Sequence, residues 1–406
     1  MIPYSLPPAE TRLTARSLLQ GYLGRSERFA EELSGYLGRE ACVLADSARS
    51  LLFLLLCCLR GKSAIKDAHI LLPGYTCYSV PAAVVKSGLR VALYDIHPQT
   101  LQPDLEDVEK KINPGTLAVV GQHLLGMRSD IAGLTRIAHS RGAFCIEDSA
   151  QLLQPDNLSL EQDIPADFTL FSFGRGKPLP LGGGGALVAA NASDLKKIAL
   201  DLSHFPERRG NIFFPIAVRT FSHPSIYWIL EKLPLGLGHT VYDPAFPVFS
   251  MPRLYRKLGT RALPELQRLN KHRTRIRTVY SEQFFPDKAC PQIGADSPLV
   301  RYPLLVEKRA LSKRLLNHGV RQLYPQALCD LPQLREELVS QKSITPGARR
   351  IAEQLLTLPT HLSVTEHAAA GIAQEVSKVF PDKTWLLQSG QNAAEDGGFR
   401  HSTASR

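Results

Sequence analysis

The chain has 406 residues, 44% hydrophobic and 21% charged, which is the balance of a soluble globular protein large enough for one domain of about 250 residues and a smaller one. Lysine and arginine exceed aspartate and glutamate by 48 to 38, and this net charge of +10 favours anionic partners such as phosphorylated metabolites. No basic block interleaved with aromatics occurs, so a nucleic-acid groove is not expected, and the apolar run 51–59 is too short to cross a bilayer.

Apolar stretches alternate with helical patterns along the first half. A strand over 42–45 leads into a helix over 48–59, and a strand over 69–72 leads through Pro73 and Gly74 into a helix ending near Gly88. Then come a strand over 90–95, a helix over 104–112, a strand over 117–122, a helix over 131–141 and a strand over 143–147. Repeated strand, helix and strand predicts an α/β fold with a mainly parallel central sheet and helices on both faces. The run 168–173 is apolar, residues 185–190 form one more strand, and a helix follows from Ser193.

Residues 205–249 are rich in Pro, Gly and aromatics without a clean period, and predict an extended, partly buried excursion. With Trp228, Phe213 and Phe214 beside Arg208, Arg209 and Arg219, a peripheral membrane contact is the second reading of this stretch. A long basic helix over 254–285, a strand over 299–306, a helix over 312–318 closed by Gly319 and a helix over 364–379 predict a smaller α+β domain. The expected organisation is therefore a large domain over 1–249, a small one over 250–388 and a disordered, Gly- and Ser-rich tail over 389–406. Seven scattered cysteines, an odd number mostly in apolar runs, read as reduced residues of a cytoplasmic protein, and none has the spacing of a zinc site. Residues 1–10 lack the basic and apolar regions of a signal peptide.

Chemistry concentrates between Glu147 and Gly185. Asp148 closes the strand Phe144 to Glu147, and open α/β sheets place ligands at the carboxyl ends of their strands. Lys177 follows the next apolar run and precedes four glycines, 182–185. A lysine amine in a partly desolvated pocket loses basicity and can act as nucleophile toward an aldehyde, while a carboxylate can pair with a protonated pyridine nitrogen. The two together suit pyridoxal phosphate.

These residues, with their neighbours, resemble the DegT/StrS-type sugar aminotransferases, which have the aspartate aminotransferase superfold called fold type I. The similarity runs over about 41–379. It is carried by Gln122, His123 and Gly126 followed by Asp130, by Glu147, Asp148, Ser149, Ala150 and Gln151, and by Ser172, Phe173 and Lys177 with the glycine run. The resemblance implies that Lys177 carries the cofactor covalently, Asp148 pairs with the pyridine nitrogen, Gln151 lies against the ring and Ser172 binds the phosphate. It also implies a homodimer, an amino-acid donor such as glutamate, and a keto-sugar on a nucleotide as acceptor. Arg253 would reach the partner's site, with His123 and Arg175 as further candidates toward cofactor or substrate.

The chain departs from the family at three places, one of them the family's Asn-x-Arg element, where Met251 stands for the asparagine ahead of Arg253. The phosphate loop, usually Ser-Gly-Thr-Ala-Ala, reads Asp46, Ser47, Ala48, Arg49 and Ser50 here, so Ser47 and the Ala48 amide are the expected phosphate contacts, with Ser47 as a simple N-cap the alternative. Where an aromatic often stacks on the cofactor ring, the chain has Cys77, flanked by Tyr75 and Tyr78, so the expected ring contact is one of these tyrosines, Tyr75 first, or the smaller side chain of Cys77. The rival readings are a pyridoxal-phosphate enzyme of other chemistry and a non-catalytic relative acting as regulator or scaffold.

Overall fold

A computed structural model describes residues 5–9, 13–155, 165–209, 213–232, 241–285, 297–306, 311–341 and 344–381. The expected tail over 389–406 lies outside them. Seven strands form one sheet: β1 (Val43–Ala45), β2 (His69–Pro73), β3 (Arg90–Tyr94), β4 (Thr116–Gln122), β5 (Phe144–Asp148), β6 (Phe168–Ser172) and β7 (Gly185–Ala189). Their order is β1-β7-β6-β5-β4-β2-β3; β7 is antiparallel to both neighbours and every other adjacent pair is parallel.

The helices of this unit are α1 (Ala15–Leu23), α2 (Phe29–Tyr36), α3 (Ala48–Lys62), α4 (Ser79–Lys86), α5 (Leu105–Lys111), α6 (Ile131–Ser140) and α7 (Leu195–Ser203). The side-chain period of a strand, two residues, divides the core. Ile70, Leu72, Val120 and Ile146 share one apolar cluster with Leu51 and Leu55 of α3 and Ala83 and Val84 of α4. Leu71, Val119 and Cys145 face the other way, onto Val108 of α5 and Ile131 and Leu134 of α6. Covered on both faces, β2, β4 and β7 are buried along their whole length, as a doubly wound sheet requires. Caps fix the helix starts: Asp104 Oδ1 accepts from the Asp107 amide at 3.0 Å and Asp130 Oδ1 from the Gly133 amide at 2.7 Å.

Two expectations are corrected downstream. The stretch 205–249 contains two helices, α8 (Phe214–Phe221) and α9 (Pro224–Lys232). Each is too short to print a clear period, and each has a proline in its first turn, Pro215 in α8 and Pro224 in α9. The long helix expected over 254–285 is two, α10 (Arg253–Ala262) and α11 (Leu266–Phe284), joined by a 3-10 turn at Leu263–Glu265. Pro264 lies in that turn and, lacking an N–H, cannot continue the α-helical ladder. α10 lays Tyr255 and Leu258 against Phe29 and Leu33 of α2 and Phe171 and Val188 of the large sheet.

A second, antiparallel sheet has order β8-β10-β9: β8 (Arg301–Leu305), β9 (Arg321–Gln322) and β10 (Leu355–Pro359). α12 (Lys313–Asn317), α13 (Pro346–Gln354) and α14 (Glu366–Val379) accompany it. Tyr280 of α11 packs on Tyr302 of β8 with ring centroids 5.2 Å apart. Gly319 has φ 74°, a backbone state glycine adopts without steric cost, where the chain turns from α12 to β9. Among the described residues no helix is long and apolar enough to cross a membrane.

Candidate active site

The sheet's chain order reverses at β2, which has β3 on one side and β4 on the other. Loops leaving β2 and β4 diverge there, and ligands of open α/β sheets bind at such a point. Gln122, the last residue of β4, spans it by donating Nε2–H to the Tyr75 carbonyl at 2.6 Å. A cavity of about 280 Å³ opens beside it, at the carboxyl ends of β4, β5 and β6 and the first turns of α3 and α4. Ser47, Ala48, Cys77, His123, Asp148, Gln151, Ser172 and Lys177 all lie on its wall.

Asp148 is half-buried, and its Oδ1 accepts from the Ala150 amide at 3.0 Å. Burial pushes its pKa above the ordinary 3.8, and the Glu147 charge adds to that; the Lys177 ammonium, the Ala150 amide and His123 pull it back. The Lys177 side chain makes no hydrogen bond or ion pair with the described residues, and its charge acts on Asp148, which lines the same cavity.

Beneath them runs a buried polar network. The Ser129 amide donates to His123 Nδ1 at 2.9 Å, so the imidazole carries its proton on Nε2 and donates to Glu147 Oε1 at 2.7 Å. Glu147 also accepts from Ser149 Oγ and Thr169 Oγ1, each at 2.9 Å. Both carboxylate oxygens of Glu147 are thereby satisfied, which is what keeps a buried charge tolerable. Gln151 turns its Oε1 to the Leu125 amide at 2.5 Å; Leu125 itself holds φ 61°, a strained state for a leucine.

At the other end of the cavity Ser47 caps α3, its Oγ accepting from the Ser50 amide at 3.1 Å, while remaining on the wall. Asp46 organises the turn: Oδ1 accepts from Ser50 Oγ at 2.7 Å and from the Phe249 amide at 3.4 Å, and Oδ2 takes Arg208 Nη1 at 3.4 Å. The glycine run serves this turn. A Cβ on Gly185 would sit 2.2 Å from the Ala48 nitrogen, so only glycine lets β7 pass so close.

Arg49, half-buried in the first turn of α3, lines the cavity with its guanidinium 4.1 Å from the centre of the Phe246 ring. A cation there opposes the helix dipole; the Phe246 ring and the Asp243 and Asp46 charges offset this in part, and a bound anion would offset it further. The sequence pattern gave Arg49 no role, although an arginine in a first helical turn is itself a signal. Tyr324, from the second unit, also lines the cavity and has no local sequence signal.

Three expected residues lie elsewhere. Tyr75 is 1% exposed and stands behind the wall, its hydroxyl bound to the Tyr324 backbone, so it does not face the cavity. Arg175 is exposed on the loop before Lys177. Arg253 is on the surface, where its Nε pairs with Glu27 and its amide donates to Glu207 Oε1 at 2.6 Å. Among the described residues no group of histidine, cysteine, aspartate or glutamate is placed to hold a metal ion.

A model of the DegT/DnrJ/EryC1/StrS aminotransferase family matches residues 12–216 of the 406. The chain belongs to that family. As a DegT/DnrJ/EryC1/StrS member it is a pyridoxal-phosphate-dependent aminotransferase. The spore coat polysaccharide biosynthesis protein SpsC of Bacillus subtilis (strain 168) is 26% identical over 290 residues, covering 70% of this chain and 69% of that protein. The dTDP-4-dehydro-2,3,6-trideoxy-D-glucose 4-aminotransferase of Saccharopolyspora spinosa is 29% identical over 169 residues, 41% of this chain and 43% of its own. Among solved structures, the PLP form of the sugar aminotransferase Spr1654 of Streptococcus pneumoniae shares the fold with a TM-score of 0.73 at 19% identity, covering 95% of this chain and all of that one. PseC of Helicobacter pylori does so at 0.71 and 18%, over 93% and 99%. The family's fold type I architecture is thus the one described above.

Proposed function

We propose that the protein transfers an amino group from an amino acid, glutamate first among candidates, to a keto-sugar carried on a nucleotide, in the cytoplasm and toward a polysaccharide or other surface glycan. The observation that carries this reading is the lysine amine without a hydrogen-bond partner facing a half-buried carboxylate across one cavity, in a chain of this family. Purified protein reconstituted with pyridoxal phosphate should absorb in the visible, and glutamate should bleach that band. A protein that takes up no cofactor would instead be the non-catalytic regulator or scaffold, the reading favoured by its altered loop at residues 46–50.

The cavity suits the cofactor by size and donor set. Its volume is at the lower end of small-molecule sites, roughly 300 Å³. A carboxylate, an amine and a cation-bearing helix N-terminus match a ring nitrogen, an aldehyde and a phosphate. When bound, pyridoxal phosphate supplies the electron sink for exchanging amino and keto groups. Asp148 would hold a proton at the ring nitrogen. Lys177 Nζ would tether the cofactor and, once released by the amino donor, carry the proton from the donor's α-carbon to the cofactor's C4′. Ser172 Oγ, Ser47 Oγ and the Ala48 amide would bind the phosphate, and Gln151 would limit where the ring lies. His123, fixed by Ser129 and Glu147, would orient the backbone of Asp148, whose carbonyl accepts the His123 amide at 3.1 Å.

Arg49 would add the charge that the missing Gly-Thr pair does not supply. Replacing it with methionine should weaken pyridoxal phosphate binding by roughly 10- to 100-fold, the worth of a charge-assisted hydrogen bond. Binding of pyridoxal, which has no phosphate, should hardly change. Equal losses for both ligands, measured by equilibrium dialysis, would exclude a phosphate role for Arg49.

The active form we propose is a homodimer in which Arg253, exposed on this protomer, and Arg175, on its loop, meet the neighbour's site or the substrate's phosphates. A Lys177→Ala protomer mixed with an Arg253→Ala protomer should regain about a quarter to a half of wild-type activity, because one hybrid site has both residues. Absence of recovery after proven subunit exchange refutes the shared site.

α8 turns apolar side chains to solvent, with Phe213 just before it 72% exposed, Ile216 46% and Phe221 43%. With Arg208 and Arg209 nearby, this face supports the peripheral membrane contact. Sedimentation with phosphatidylserine vesicles should fall several-fold in Phe213→Ser/Ile216→Ser; a change confined to oligomeric state would assign the face to a protein contact.

A further inference from the structure

Tyr324 is the only phenylalanine, tyrosine or tryptophan among the described residues of the cavity wall. It is 6% exposed and comes from the second unit, between β9 and the turn at Leu328–Asp330, whereas the rest of the wall belongs to the large sheet. Its position is set by an unusual joint. The Tyr75 hydroxyl accepts from the Tyr324 amide at 3.0 Å and donates to the Tyr324 carbonyl at 3.3 Å. Two residues on, the Tyr78 hydroxyl accepts from the Gln326 amide and donates to the Gln326 carbonyl, both at 3.0 Å. Each phenol thus uses donor and acceptor toward the backbone of one residue, as a peptide group does along a sheet edge, where the chain bends beyond β9. The Leu328 amide, donating to the Gly74 carbonyl at 2.8 Å, continues the seam.

The seam pins the Tyr324 ring. Its centroid lies 5.3 Å from that of Tyr75 and 6.1 Å from that of Tyr78. Cys77 and Asp148 lie on the same cavity wall as Tyr324. Cys77 is small, and its thiol takes the Ser79 hydroxyl at 3.1 Å, which leaves room for a ring from elsewhere. A flat heteroaromatic ligand gains most from an aromatic face held rigid before it binds.

We propose that Tyr324 is the aromatic wall on which the cofactor's ring rests, and that Tyr75 and Tyr78 are positioning residues that hold it there through its backbone. This rests on the reading that the cavity takes pyridoxal phosphate. It explains how a site with cysteine at position 77 keeps an aromatic surface.

The test is cofactor affinity of the full-length protein, by equilibrium dialysis and visible absorbance, with melting curves to confirm folding. A wild type that binds no pyridoxal phosphate removes the functional reading and this proposal together. With wild-type binding in hand, Tyr324→Leu should weaken it roughly tenfold, and Tyr324→Phe, which keeps the ring, by no more than about twofold. Cys77→Phe alone should also weaken binding, since its ring would compete with Tyr324 for one space. In Tyr324→Leu/Cys77→Phe the new ring should restore most of the loss. Unchanged affinity in Tyr324→Leu, equal losses in the Leu and Phe variants, or tighter binding in Cys77→Phe alone would each overturn the proposal. Should Tyr324→Leu fail to fold, the Cys77→Phe and Tyr324→Phe arms decide it.

Discussion

Replacing Lys177 with alanine is expected to remove the visible absorption of the reconstituted protein and to lower turnover by roughly four orders of magnitude, the upper end of what positioned acid–base groups contribute. Fold stability should barely change. The Lys177 side chain is half-buried, makes no hydrogen bond or ion pair with the described residues, and sits on a loop after β6, so its truncation leaves no buried group unsatisfied. Its charge does lower the Asp148 pKa, so alanine at 177 should let that carboxyl rise further. Borohydride treatment of the loaded wild type followed by peptide mapping locates the tether directly. A label on any other lysine, or a Lys177→Ala protein that keeps the band and turns over normally, contradicts the assignment.

Asp148→Asn should separate chemistry from folding more sharply. Asparagine nearly copies the shape but has no charge to hold a proton on a pyridine nitrogen, and turnover should fall on the order of 10³-fold, as when a preorganised electrostatic group is lost. Stability without cofactor should move the opposite way. Burial raises the folded pKa of Asp148 above its ordinary 3.8. A raised folded pKa contributes stability that is fully present below the ordinary value and is lost as pH climbs through the folded one. At neutral pH the ionised, half-buried carboxylate is therefore a burden on the cofactor-free protein. The asparagine variant should melt higher than wild type without cofactor at pH 7, and the gap should close as pH falls toward 4. A lower melting temperature at both pH values would mean that Asp148 stabilises the fold rather than waiting for a cation.

Both residues were legible in the sequence because their signals are local. A short apolar run ending in Glu147 and Asp148, and a lysine between an apolar run and four glycines, need no tertiary information. The doubly wound sheet was legible for the same reason, through alternating strand and helix patterns. Tyr324 was not, since 147 positions of chain separate it from Lys177, the nearest other residue of the wall, and 176 from Asp148. Tyr75 misled because its phenol turns backward to bond a backbone 249 residues away. The break between α10 and α11 was in fact written in Pro264, within an otherwise continuous basic helical pattern. α8 and α9 escaped because eight or nine residues give barely two turns of periodicity.

Asp46 has a consequence for how the site fills. With Ser50, Phe249 and Arg208 bound to its carboxylate, and the Gly184 amide on its carbonyl at 2.8 Å, it fastens the turn before α3 to three distant parts of the chain. The conformational entropy of that turn is lost when the protein folds, not when a phosphate arrives. A phosphate held there, as proposed, would meet a finished socket, and loading and unloading it would require no local refolding of the turn.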